Sequence, residues 1–395
     1  MTSSVFTGLT PQAPDSLLSL IGLYRRDPRP GKIDLGVGVF RDDLGATPVL
    51  AAVKAAEQQL LNTQSTKAYL GPEGDIGYLD LLKPIIFGDQ VDHEVFGVQT
   101  PGGTGAVRLA CELLQAAKPD IRVFIGAPTW PNHTQILDQL GLETVTFRHY
   151  DQRNQRLCFD EMMAVLETAR AGDAVLLHAC CHNPSGADYS LDQWRAIAEL
   201  VARKGLTPLI DLAYQGLGLG LDEDAAGMRL VLAAAEDGLL AYSCDKNFGL
   251  YRERVGALYT LSRDAEILDL AASNIRALAR TNWSMPPDHG AAVVRVILES
   301  EALTAVWKSE LEAMRGRVAD LRQRLARAVP ALAPLAGQHG LFGLLPLSPA
   351  QVASLREDHA IYMAGSGRIN LAGLTVDNID TFARAFEACL QGEPA

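Results

Sequence analysis

The sequence predicts an α/β protein in which a mainly parallel sheet is covered by helices. From about Thr47 onward, short apolar runs alternate with longer segments of helical period, which is the pattern of repeated strand and helix units. Polar residues follow several of the apolar runs, where open α/β sheets bind ligands. The chain has 395 residues, which is long for a single core and suits two domains.

The individual elements follow from these patterns. Residues 107–118 have helical period after a glycine-rich turn, and 191–204 form a predicted helix that Gly205 ends. Residues 299–328 are rich in Ala, Leu, Glu and Arg and predict one long helix. The predicted strands lie at 123–126, 175–177, 206–211 and 239–242.

Two domains are expected from the chain order. Residues 47–310 are predicted to form the large domain, and residues 1–46 and 311–395 the small one. The apolar run at 17–23 is too short to span a membrane, so we expect it to form a helix that packs on the body. The start of the chain has no basic region typical of a signal peptide.

Composition indicates a metabolic enzyme of the cytoplasm. Lys and Arg number 35 against 47 Asp and Glu, which gives a net charge of −12. This balance argues against nucleic acid or an anionic membrane as a partner. The six cysteines have no framework spacing, which favours buried thiols in a reducing compartment.

Three charged residues after predicted strands suggest pyridoxal-phosphate chemistry. Asp211, Lys246 and Arg254 supply a carboxylate, an amine and a guanidinium. The carboxylate could keep a pyridine nitrogen protonated, and the amine could form a Schiff base if its pKa is lowered. The guanidinium could grip a phosphate with two parallel hydrogen bonds. Each residue taken alone is more often a solvated surface charge, so the hypothesis depends on the set.

A glycine-rich segment supports the same hypothesis. The residues Thr-Pro-Gly-Gly-Thr-Gly at 100–105 precede a helical pattern, so their backbone N–H groups could bind an anion at the start of a helix. The segment is not a Walker loop, because no Lys-Ser or Lys-Thr pair follows. It also lacks the spacing of dinucleotide-binding loops.

The segment at 175–186 contains residues that resemble a zinc site but favour another role. Cys180 and Cys181 are adjacent and would point to opposite faces of a strand, so we expect no metal. Asn183, held by the following proline, can instead donate a hydrogen bond to a cofactor ring oxygen, as can Tyr214.

The order of these motifs resembles the aspartate and aromatic aminotransferases, which are fold-type I pyridoxal-phosphate enzymes of class I. The similarity covers almost the whole chain and implies a seven-stranded, mainly parallel sheet in a large cofactor-binding domain with a smaller α/β domain. The motifs that carry it are Gly103-Thr104, Pro-Thr-Trp130-Pro-Asn-His133, HNPSG at 182–186, DLAYQG at 211–216, KNFG at 246–249, RERVG at 252–256 and GSGRINLAG at 365–373.

The resemblance implies a role for each matching residue. Lys246 would form the Schiff base with pyridoxal 5′-phosphate and carry the proton, while Asp211, backed by His133 and His178, would bind the ring nitrogen. Arg368 would clamp the substrate α-carboxylate beside Gly38, Trp130 and Asn183. The remaining residues that match cofactor ligands are Gly103, Thr104, Trp130, Asn183, Tyr214, Ser243 and Arg254.

The resemblance also implies a homodimer with shared active sites. Tyr69 matches a tyrosine that reaches the phosphate of the neighbouring subunit, and Arg280 matches an arginine that crosses the interface to a distal carboxylate. Amino acids and 2-oxo acids are the implied substrates.

The departures from the family pattern bear on specificity. Asp245 stands where many relatives have a serine, and a carboxylate facing a phosphate is unfavourable unless it is paired or protonated. Met285, Trp283 and Leu217 make the pocket rim apolar, which favours aromatic substrates. We therefore expect transfer of amino groups from aromatic amino acids and aspartate to 2-oxoglutarate. The alternatives are a narrow aspartate aminotransferase, a pyridoxal-phosphate enzyme of another reaction type, or a protein of this fold with lost catalysis.

Overall fold

The computed structural model describes residues 4–11 and 16–391, and most of its regular structure is α-helical. Ser16–Arg26 forms α1, and its first three side chains lie outside the described part. The other helices are α2 Ala51–Thr63, α3 Ile76–Phe87, α4 Gly102–Ala117, α5 Pro131–Leu140, α6 Phe159–Leu166, α7 Leu191–Lys204, α8 Glu223–Ala234, α9 Ala265–Asn282, α10 Asp288–Glu299, α11 Glu301–Ala328, α12 Pro349–His359 and α13 Ile379–Gln391. None of the described helices is long and apolar enough to cross a membrane.

The strands form one large sheet and three small ones. They are β1 Ile33–Asp34, β2 Glu94–Pro101, β3 Arg122–Ala127, β4 Glu143–Arg148, β5 Tyr150–Asp151, β6 Arg156–Leu157, β7 Ala174–His178, β8 Thr207–Leu212, β9 Asp237–Ser243, β10 Val255–Ser262, β11 Phe342–Leu344, β12 Ile361–Tyr362 and β13 Arg368–Asn370. The large sheet has seven strands in the order β2-β10-β9-β8-β7-β3-β4. Only β10 runs antiparallel to its neighbours, so the other six strands end at the same edge.

A second region, formed by segments near the two ends of the chain, contains two of the small sheets. β1 pairs with β12 in parallel, and β11 pairs with β13 antiparallel. Leu20 of α1 packs against Ala360 and Tyr362, as expected for a helix docked on the body. One cluster of buried residues runs from Ile33 through the large sheet to Phe386. The division at 47–310 therefore stays a prediction.

Most predicted elements are present, and the differences lie at their ends. The helix predicted at 191–204 has those bounds, and Gly205 ends it in the left-handed conformation. The long helix predicted at 299–328 is present as α11, but it begins two residues later than predicted, because Ser300 caps it with its side chain and Glu299 is the last residue of α10. The glycine-rich segment does not merely precede α4, since Gly102 is already its first residue.

Candidate active site

Lys246 lies in the loop after β9, beside the carboxyl edge of the large sheet. Its ammonium nitrogen is 5.1 Å from the centre of the Tyr214 ring. Burial lowers the pKa of this amine below its usual value, and Arg254 acts in the same direction, although Asp245 and Asp211 oppose them. A lowered pKa leaves more of the amine uncharged, and the uncharged amine is the nucleophilic form.

Asp211 is held in place by a histidine on α5. It is the next-to-last residue of β8 and only 7% exposed, and its carboxylate lies 3.0 Å from His133 Nε2. His133 Nδ1 lies 2.9 Å from the Thr129 hydroxyl, which donates to it when Nε2 carries the hydrogen. Burial alone would raise the pKa of Asp211, but the His133 hydrogen bond and nearby positive charge hold it below its usual value. Asp211 is therefore a carboxylate at neutral pH.

Three further histidines extend inward from His133. The His178 ring lies 5.1 Å from that of His133, His182 follows at 4.4 Å, and His149 stacks on His182 at 3.7 Å. Burial lowers the pKa of His178 to about 3 and that of His149 to about 4. These rings are neutral under physiological conditions. Within the described chain, His178 Nε2 and His149 Nε2 are buried without a hydrogen-bond partner.

An anion cradle surrounds the start of α4. A Cβ on Gly102 would lie 2.4 Å from Nη2 of Arg254, and a Cβ on Gly103 would lie 3.0 Å from Cβ of Ser243. The two glycines thus let the helix start approach both side chains, and Thr104 continues its first turn. The free N–H groups of this turn and the guanidinium point to one place, as a phosphate site requires.

Asp245 is buried beside the cradle and pairs with Arg254. It is 2% exposed, its Oδ2 accepts a hydrogen bond from Nη1 of Arg254, and its Oδ1 accepts one from the Val255 N–H at 3.1 Å. Nη1 of Arg254 also donates to the Tyr251 carbonyl at 3.1 Å. The Asp245 carboxylate is thus paired with a cation, which is one of the two conditions that make it tolerable beside a phosphate site.

A second arginine lies on the opposite side of the cleft, on β13. Arg368 contacts the side-chain oxygen of Asn183 at 3.4 Å and the Gly36 carbonyl at 3.2 Å, and its guanidinium stacks 4.5 Å from the Phe342 ring centre. Its Nε is buried and has no partner among the described residues. A Cβ on Gly38 would lie 2.7 Å from Phe342, so glycine allows the Phe342 ring to pack closely against the backbone at this position. An unpaired buried donor on a cation suits a carboxylate ligand.

The structure brings together most of the predicted site residues, but two lie apart. Trp130 is at the start of α5, with its ring 5.1 Å from that of His133. Tyr69 is 93% exposed and contacts none of the site residues. Arg280 is exposed near the end of α9, where Nη1 donates to Ser284 Oγ at 2.5 Å. Both are candidates for completing the site of a second subunit.

Sequence reasoning missed three contributors and misjudged one pair. Phe342 packs against Arg368, Gly102 makes the closest approach to Arg254, and Thr129 orients His133. The glycine run could have identified Gly102, and Thr129 lies only four residues before His133, whereas Phe342 and Arg368 belong to separate segments of the chain. Cys180 and Cys181 do not lie on opposite strand faces, because β7 ends at His178 and their sulfur atoms are within 4.8 Å of each other.

The residues fit pyridoxal phosphate on their own chemistry. An amine of lowered pKa, a histidine-supported carboxylate and an anion cradle lie around one cleft, and a second arginine with an unused buried donor faces it. These groups match the aldehyde, ring nitrogen and phosphate of the cofactor and the carboxylate of an amino acid.

Comparisons with known proteins agree with this chemistry. A family model for aminotransferases of class I and II matches residues 30–386. The tyrosine aminotransferase of Rhizobium meliloti is 52% identical over 94% of this chain and 96% of its own length. The aromatic-amino-acid aminotransferase of Paracoccus denitrificans is 47% identical over 95% of this chain and 98% of its own. The aspartate aminotransferase of Salmonella typhi is 42% identical over 98% of this chain and 100% of its own.

Solved structures show the same fold. An aromatic amino acid aminotransferase with 3-indolebutyric acid aligns with a TM-score of 0.94 at 45% identity, covering 98% of this chain and 100% of that one. The aromatic-amino-acid aminotransferase of Burkholderia pseudomallei, covalently bound to pyridoxal phosphate, aligns with a TM-score of 0.95 at 36% identity over 98% and 100% of the two chains.

Proposed function

Because this chain belongs to the class I and II aminotransferases and is a pyridoxal-phosphate enzyme, we propose that it transfers amino groups from aromatic amino acids and aspartate to 2-oxoglutarate. One observation carries the proposal: the buried Lys246 amine interacts with Asp211 and with Arg254, whose guanidinium lies against the start of α4. Two half-reactions would use this single site in turn.

Different site residues would bind the cofactor ring and transfer the proton. When bound, pyridoxal phosphate supplies an aldehyde that reacts with amines and a ring that withdraws electrons from the substrate α-carbon. Asp211, supported by His133, would hold the proton on the ring nitrogen. Lys246, freed once substrate is bound, would move a proton to and from the α-carbon at its Nζ. Its lowered pKa suits this exchange.

The other residues would orient cofactor and substrate. Arg254, Ser243 and the start of α4 would hold the phosphate, while Trp130 would stack on the ring. Asn183 and Tyr214 would donate hydrogen bonds to the ring oxygen. Arg368 would pair with the substrate α-carboxylate through the donor that is unused in the structure.

A substrate range that includes both aromatic and acidic side chains is supported by the relatives and by the pocket rim. Relatives named for tyrosine and for aspartate are 52% and 42% identical to this chain. Arg280 is exposed and engaged only with Ser284 among the described residues, so it is free to pair with a distal carboxylate or to turn toward solvent. Met285 and Trp283 offer apolar surface beside it.

A homodimer is part of the same proposal, because Tyr69 and Arg280 are both exposed and match family positions that reach into a neighbouring subunit. Tyr69 is 93% exposed, as expected of a side chain that inserts into a second copy. A cytoplasmic location is also proposed, and the six cysteines, all free and buried, support a reducing compartment.

Half-reaction kinetics test the proposed function. The purified enzyme, loaded with pyridoxal phosphate, is mixed separately with aspartate, glutamate, phenylalanine and tyrosine while cofactor absorbance is followed. All four amino acids should convert the cofactor to its amine form, and 2-oxoglutarate should reverse the change. A response to aspartate and glutamate alone would leave a narrow aspartate aminotransferase, and no response to any of them would refute transamination.

A further inference from the structure

Asp245 places a buried carboxylate at the edge of the anion cradle. A Cβ on Gly102 would lie 3.1 Å from its Oδ2 and 2.4 Å from Nη2 of Arg254, so all three groups border the same small space. The inference that follows rests on the proposed function, in which the cofactor phosphate occupies this space.

Arg254 can bind a phosphate without releasing Asp245. Its Nη1 atom donates to Asp245 and to the Tyr251 carbonyl. No group in the described parts of the chain accepts a hydrogen bond from its Nε or Nη2. The Nε and Nη2 donors therefore remain free for phosphate oxygens, while Nη1 keeps its pair with Asp245.

The arrangement brings two anions to one cation. A phosphate oxygen in the cradle would lie next to Oδ2 of Asp245, and a like charge at this distance raises the pKa of the carboxyl. Burial already raises the pKa of the Asp245 carboxyl, although Lys246 and Arg254 act to lower it. Adding the dianion shifts the balance further toward the protonated acid.

Lys246 and Arg254 are the two cations that face Asp245. Both lie, with Cys244 and Tyr251, on the loop that joins β9 to β10. The start of α4 contributes only backbone at Gly102. Burial raises the pKa of Cys244 and of Tyr251, so both stay neutral.

We propose that Asp245 couples cofactor binding to proton uptake: the carboxylate is ionised in the cofactor-free protein and takes a proton from solvent when a phosphate dianion enters the cradle. Cofactor affinity then falls as pH rises, because each bound molecule requires an additional proton. A serine at this position could not do this, so the coupling would distinguish this enzyme from relatives that have serine there.

Calorimetry of the full-length chain, freed of cofactor, tests the coupling. Pyridoxamine 5′-phosphate is the probe, because it has no aldehyde to react with Lys246. Titration at about pH 8, where a phosphate monoester with a second pKa near 6 is a dianion, is done in two buffers of different ionisation enthalpy. On binding the probe, the unmodified enzyme should take up about one more proton than Asp245→Asn does. For each unit by which the pH rises, the Kd of the unmodified enzyme should increase by a factor about tenfold larger than that of the variant.

Asp173→Asn is a matched control. Asp173 is also buried and paired with an arginine, Arg122, but it lies at the start of β7, away from the cradle. This variant should retain the proton uptake of the unmodified enzyme. If Asp245→Asn does not fold, Asp245→Ser serves in its place.

The outcomes separate the coupling from the proposed function. Tight binding with equal proton uptake in the enzyme and in the Asp245 variant would refute the coupling and leave the aminotransferase assignment intact. No binding of the probe by the unmodified chain would overturn both.

Discussion

Burial shifts the pKa values of several side chains in this site and so sets their protonation states. Lys246, Asp211 and the histidines behind Asp211 all have pKa values displaced by burial or by a buried partner. His178 and His149 are neutral for this reason, and a neutral ring beside His133 keeps positive charge from collecting behind Asp211. Keeping these rings neutral lowers the folding stability only at acidic pH, where the unfolded chain would bind protons on them.

His149 gives a pH test of this burial. Burial lowers its pKa from 6.5 to about 4, so between these values the unfolded chain binds a proton that the folded chain does not. Its contribution therefore makes the protein less stable as pH falls through this window, by up to about 1.4 kcal/mol per pH unit. Relative to the unmodified protein, His149→Phe should gain stability between about pH 7 and pH 4.5, measured by urea unfolding of the cofactor-free protein. If the difference in unfolding free energy between the two proteins does not change with pH, His149 is not a neutral buried ring.

At the scale of elements, the site depends on where strands end and where α4 begins. Lys246 and Asp211 follow parallel strands, while Gly102 starts α4 with φ of 70° against Arg254. A glycine is needed there for two separate reasons. One is the left-handed backbone, and the other is the close approach of the guanidinium.

Gly102→Ala separates these reasons when compared with Gly45→Ala. Gly45 has φ of 75° and nothing within 4 Å of an added Cβ, so alanine there meets only backbone strain, about 1–2 kcal/mol. Thermal unfolding of the cofactor-free proteins should show a comparable loss of stability in both variants, because each places alanine in the left-handed region. Only Gly102→Ala should also weaken pyridoxal phosphate binding, by about tenfold or more, because it displaces Arg254. Equal cofactor affinity in the two variants would show that the start of α4 does not form part of the phosphate site.

Local signals predicted these elements better than non-local ones. Gly205 marked the end of α7, and apolar runs marked β3, β7 and β9, because both signals lie within a few residues. The start of α11 was placed two residues too early, since the pattern alone did not identify Ser300 as its cap. The packing of Phe342 on Arg368 depends on a tertiary contact that one sequence does not show.

At the scale of the whole molecule, the proposed function includes a second subunit. Arg280 is exposed near the end of α9, so under this proposal a distal carboxylate would meet the partner's copy of this residue. Arg280→Leu should lower kcat/KM for aspartate by about a hundredfold or more, because it removes a charged hydrogen bond and leaves the carboxylate unpaired. Phenylalanine has no such group and should be affected much less. Arg276→Leu, which changes another α9 arginine paired with Glu73, is the control.

Hybrid dimers test whether the two sites share residues. Lys246→Ala and Arg280→Leu chains are each expected to be poor aspartate enzymes as homodimers. Mixed after dissociation, they should regain aspartate turnover in the heterodimer, where one site has both an intact Lys246 and a partner's Arg280. Absence of recovery, with heterodimers present, would place Arg280 outside the shared site.

The central claim, that Lys246 carries the cofactor, has one direct measurement. Borohydride reduction of the enzyme loaded with pyridoxal phosphate, followed by proteolysis and mass spectrometry, fixes the cofactor to the amine that holds it. The label should be found on the peptide that contains Lys246, and Lys246→Ala should show no label there and no transamination. A label on any other lysine of the unmodified enzyme would contradict the account.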